Sequence, residues 1–65
     1  MKKEKAINWI NRVISLWEKA KNPNRIQIIR ALKLKEKITI HKAETIEKES
    51  SLSKDIRHFI NLVTA

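Results

Sequence analysis

Not one of the 65 residues is glycine, and only Pro23 is proline. Tight hairpin turns need backbone at positive φ, which glycine adopts with the least steric cost. A chain without glycine has few ways to pass from one strand directly into the next. Helices joined by short irregular segments remain, so an all-α fold is expected. There is no cysteine, hence no disulfide and no thiolate metal site. At this length, stability must then come from packing or from self-association. An apolar fraction of 42%, with eleven isoleucines, suffices for one core. The reading is a single domain over residues 1–65, in keeping with a reducing, cytoplasmic setting.

Apolar periodicity divides the chain into a compact bundle of three or four helices. Residues 1–21 form an amphipathic segment, helical from residue 3. Ile7, Ile10, Ile14 and Trp17 make one stripe there, and Trp9, Val13, Leu16 and Ala20 an adjoining one. So wide an apolar face serves either a bundle core or a subunit contact. Asn22-Pro23-Asn24 is the clearest break. Either Asn22 caps a second helix with Pro23 at its first position, or Asn24 caps it with Gln27 three residues on. That basic helix, 24–37, carries Ile26, Ile29 and Leu32, with Ile28 and Ala31 beside them. From Leu32 to Ile40 apolar and polar residues alternate, and Ile38-Thr39-Ile40 is β-branched throughout. A short strand or extended connector at 38–40 is one reading, and a poor stretch inside one long helix from residue 24 to 49 is the other. A short helix follows at 40–49, with Thr39 as cap and Ala43 and Ile46 inward. The last helix, 53–63, has Ser53 as N-cap, Leu52 just outside it and Asp55 in the first turn. Its inward stripe is Ile56, Phe59, Ile60 and Val63.

The formal charge is +8, a balance that favours an anionic partner. Residues 1–21 and 22–37 each carry a net +4, whereas 38–49 carry −1 and 50–65 carry +1. The positive field therefore belongs to the first two helices. Opposite the apolar stripe of the last helix stand Lys54, Arg57, His58 and Asn61. Arginine pairs bidentately with guanine edges and asparagine with adenine, while lysine and histidine more often meet phosphate. An ordinary solvated helix face has the same composition. Arg25, Arg30, Lys33, Lys35 and Lys37 form the densest basic run and are expected on phosphates, in a salt-sensitive way. Lys2, Lys3 and Lys5 read either as a flexible arm on DNA or as a solubilising terminus.

From Arg25 onward the chain resembles helix-turn-helix repressors of the winged type. R-I-Q-I-I-R-A-L resembles their opening helix and K-I-T-I the short strand after it. H-K-A-E-T-I-E-K-E stands where the supporting helix would lie, and L-S-K-D-I-R-H-F-I-N-L-V where the major-groove helix would lie. The resemblance covers about two-thirds of the chain and implies a helix-turn-helix-like arrangement over residues 25–63. I-T-I followed by S-L-S-K-D-I-R-H-F-I is also similar to ribbon-helix-helix repressors, whose paired strands enter the major groove. That likeness implies Thr39 and His41 facing bases, with residues 51–60 as the second helix. Both families are DNA-binding regulators.

Other chemistry has little to work with. His41 and His58 are the only histidines, Glu44, Glu47 and Glu49 do not converge on one helical face, and no glycine loop can cradle phosphate. An enzyme, a bound metal and a cofactor are not expected. The apolar run after Met1 is interrupted by Asn8, Asn11 and Arg12, unlike a signal peptide. The expectation is a small cytoplasmic DNA-binding regulator of transcription, with duplex DNA as partner and a homodimer contact through the first helix. The alternative is a non-enzymatic helical interaction module that meets a larger protein through Trp9, Val13, Leu16 and Trp17. A membrane-active basic peptide is a third and weaker reading, since the other helices use their apolar residues in a core.

Overall fold

In a computed structural model, which describes residues 1–64, three helices follow one another: α1 (Lys3–Lys19), α2 (Arg25–Ile40) and α3 (Ser51–Thr64). None of the described residues adopts positive φ, so the chain turns its corners without needing glycine. α2 packs against both α1 and α3, and the tryptophans of α1 also reach Phe59 of α3. The three form a bundle of 36 × 19 × 15 Å.

Each helix begins for an identifiable reason. Asn24 Oδ1 accepts from the amides of Ile26 (3.1 Å) and Gln27 (3.3 Å). This settles the start of α2: Asn24 is the cap and Pro23 precedes it. Pro23 also disfavours helix at Asn22, which keeps α1 from running on. The cap of α3 is Ser50, three residues before the expected Ser53. Ser50 Oγ accepts from the Ser53 amide at 3.1 Å and donates to the Glu47 carbonyl at 2.7 Å. Ser53 itself is buried within the first turn. At α1 the N-cap residue, Lys2, makes no side-chain cap bond; instead the Lys3 amide donates to the Glu44 carbonyl at 2.8 Å, across most of the chain.

Residues 38–40, left open between extended and helical backbone, are helical: they are the last turn of α2, which ends at Ile40. Ala31, Leu34 and Ile38 recur at three- and four-residue steps and are buried, while Leu32 and Ile40 are exposed. The apparent alternation is one helix with apolar residues on two faces. Thr39 is not a cap but a helical residue whose Oγ1 donates to the Lys35 carbonyl at 2.8 Å, the back-bond usual for a mid-helix threonine. The short helix expected over 40–49 does not form. Beyond Ile40 the chain is an irregular connector, residues 41–50. One inward apolar side chain, Ile46, is too little to hold a short helix in place, and Ala43 is exposed rather than inward. The connector pairs instead with the N-terminus: the Ile46 amide donates to the Met1 carbonyl at 2.7 Å, the Met1 ammonium to the Ile46 carbonyl at 3.3 Å, and Thr45 bridges Lys2. Lys3 Nζ donates to the His41 carbonyl at 2.7 Å, just past the C-terminus of α2, where a cation complements the helix dipole. The first residues are therefore tied down, not a flexible arm.

Four isoleucines are almost wholly buried: Ile10 from α1, Ile38 from α2, Ile46 from the connector and Ile56 from α3. Each stabilises the fold by about 1.5–3 kcal/mol through burial alone. Phe59 completes this core, with Trp9 and Trp17 edge-on to its ring at centroid distances of 5.7 and 5.8 Å.

Candidate nucleic-acid interface

α3 buries Ile56 and Phe59 and half-buries Leu52, Ile60 and Val63. At 100° per residue this leaves Lys54, Arg57, His58 and Asn61 on the opposite side, and all four are exposed. The sequence pattern and the packing agree on this face because α3 has a single apolar stripe.

The cations of α2 do not all join it. Arg30, Lys33 and Lys37 line a shallow groove of about 230 Å³ against Asp55, His58 and Leu62 of α3. Lys35 is half-buried and lies roughly opposite Lys33 and Lys37 around the helix, so it is set apart from the basic cluster. Arg25 is exposed in the first turn of α2. The groove holds one carboxylate, Asp55, which Lys37 Nζ approaches at 3.5 Å with both side chains at least half exposed. An ion pair so solvated adds little stability, but it lowers the local positive charge.

A second recess, about 530 Å³, opens where the connector meets α3 and is lined by Lys48, Glu49, Lys54 and Arg57. Lys48 was not singled out by the sequence reading, because a lone lysine between glutamates has no pattern that marks it. The connector's position, set by Ile46 and the Ser50 cap, brings it to Lys54 and Arg57. Taken together, the α3 face has Arg30, Lys33 and Lys37 along one border and Lys48 at its N-terminal end.

The other expected sites fare differently. Val13 lies in the core, and Trp9 and Trp17 are half-buried against Phe59. Of the four residues read as a partner or dimer contact, Leu16 alone is largely exposed, at 67%. Thr39 and His41 do not sit on a strand: Thr39 is helical, and His41 Nε2 lies 3.3 Å from the Thr45 carbonyl oxygen. The stretch read as a supporting helix is the irregular connector. Among the described residues, no three histidine or carboxylate side chains gather as metal ligands, and no helix is long and apolar enough to cross a membrane. Compared with known proteins, the chain matches no family model, no curated protein and no solved structure.

Proposed function

We propose that this protein is a small, non-enzymatic DNA-binding regulator of transcription that lays the outer face of α3 against duplex DNA. The observation that carries this reading is the exposed quartet Lys54, Arg57, His58 and Asn61, bordered by Arg30, Lys33 and Lys37 and by Lys48. A helix of 14 residues is about 21 Å long and about 10–12 Å across, which a major groove about 12 Å wide admits. In this arrangement Arg57 and Asn61 read base edges. Lys54 and His58 reach phosphates, and the flanking lysines and arginines neutralise the backbone on either side. With no cysteine and a strongly basic charge, such a regulator suits the reducing cytoplasm.

The test is a titration with random-sequence duplex at low and moderate salt, followed by selection of a preferred site. Binding should weaken steeply with salt, because each neutralised phosphate releases condensed counterions. On the selected site Arg57→Ala should cost about 1–3 kcal/mol and relax specificity. Lys33→Ala should weaken all sequences alike and reduce the salt slope by about 1. Failure to bind random duplex even at low salt, despite the +8 charge, would remove this reading. Equal effects of the two variants on selected and random DNA would remove the base-reading role of α3.

A further inference from the structure

α2 is apolar on two faces. Ala31, Leu34 and Ile38 turn inward and are buried, as a bundle helix requires. On the other side Ile26 (64% exposed), Ile29 (51%) and Leu32 (49%) stand in a row at three-residue steps, and Ile40 (72%) lies on the same side two turns further on, beyond Glu36. Isolated exposed aliphatics are ordinary, but a contiguous stripe on one helix is what an unfilled contact looks like. Among the described residues, no element covers it.

Charge decides what does. Arg25, Arg30, Lys33 and Lys37 are exposed along the stripe, and Glu36 is the one acidic side chain of α2. A second copy laid on this face would set four cations against four. DNA would take the cations but leave the isoleucines in water. Glu36 falls within the stripe between Ile29 and Leu32 around the helix; a partner helix can meet it with a polar or basic side chain, which a uniformly anionic bilayer cannot. The two tryptophans, the residues that favour a membrane interface, are on α1 against Phe59. A helix that presents its own apolar stripe bordered by carboxylates satisfies both features at once. Its apolar residues cover Ile26, Ile29 and Leu32, and its acids meet the arginines and lysines.

We infer that the outward face of α2 is the docking surface for an acidic amphipathic helix of a protein partner. This site does not depend on the DNA reading. Arg30, Lys33 and Lys37 are common to both, so an acidic helix seated here competes with phosphate for them.

The experiment uses the full chain, without DNA, and two dye-labelled peptides of about five helical turns. Both carry leucines at i, i+3, i+4 and i+7; one is flanked by glutamates and the other by lysines. A scrambled version of the acidic peptide tests bare charge attraction. In fluorescence anisotropy the ordered acidic peptide should bind at least about tenfold more tightly than either control. Ile29→Asn should weaken that binding by about tenfold or more. Ile26→Asn, checked with Ile29→Asn for an unchanged circular-dichroism melt, provides a second variant should the first fail to fold. Equal binding of the scrambled or lysine-flanked peptide would overturn the proposal. So would indifference of the acidic peptide to the folded variant. Concentration-dependent dimers that Ile29→Asn abolishes would assign the face to a second copy instead. Binding to phosphatidylcholine–phosphatidylglycerol vesicles that is lost in the same variant would assign it to a membrane.

Discussion

Ser50 accepts from the Ser53 amide and donates to the Glu47 carbonyl, so one hydroxyl both starts α3 and holds the end of the connector. Ser50→Ala should therefore cost about 1 kcal/mol, within the 0.5–2 kcal/mol range of lost caps. Ser53→Ala, inside the first turn, should cost clearly less. Urea unfolding followed by tryptophan emission measures both, and the reverse order would restore Ser53 as the cap. The choice between them was not open to a reading of S-S-L-S alone, where each serine is an acceptable cap. It is decided by where the connector delivers the chain. At α2 the sequence likewise leaves Asn22 and Asn24 both open, and the bonds from the Ile26 and Gln27 amides to Asn24 Oδ1 decide for Asn24. Phe59 is the other residue on which much rests. It touches both tryptophans, and Phe59→Ala should cost about 3–5 kcal/mol. A domain of 65 residues has a total stability of only about 3–10 kcal/mol at the usual value per residue. The variant should be largely unfolded at moderate temperature, with tryptophan emission shifted to the red; native-like emission would sink the claim.

Among the elements, α1 and α3 were readable because each has one apolar stripe at one period. α2 was not, because its second, exposed stripe fills the gaps in the first and imitates alternation. The two conformations make different demands on Ile38 and Ile40. On a strand, residues two apart share a face; in α2, Ile38 is fully buried and Ile40 is 72% exposed. Ile38→Ala should thus cost about 2–5 kcal/mol, and Ile40→Ala no more than about 0.5 kcal/mol. Similar costs for the two would favour the extended reading. The connector was the least legible element. Its partner is backbone at the far end of the chain, and backbone hydrogen bonds leave no mark on side-chain pattern. The outward quartet of α3 was read correctly as a face, but its neighbours were not. Lys35 is separated from the other α2 cations by its half-buried position, and Lys48 joins by tertiary placement.

At the scale of the molecule, positive charge dominates every helix, and Asp55 is the one carboxylate in the α2–α3 groove. Asp55→Asn removes an exposed ion pair with Lys37, so stability should change by no more than about 0.5 kcal/mol. If the α3 face meets DNA, the same change should raise affinity for random duplex a few-fold at low salt. Unchanged or weaker binding would place the DNA contact elsewhere. The pairing of Met1 and Lys3 with Ile46 and Glu44 has a consequence for the order in which the chain becomes structured. α1 and α2 are neighbours in sequence and can collapse on each other early. The opening turn of α1, however, has no acceptor for its Lys3 amide until the connector arrives. A loop of more than forty residues must close before that end is fixed, and loop closure carries an entropic cost that local contacts avoid. During synthesis the opening turn of α1 must therefore wait for residues about forty positions later to emerge before it finds its place.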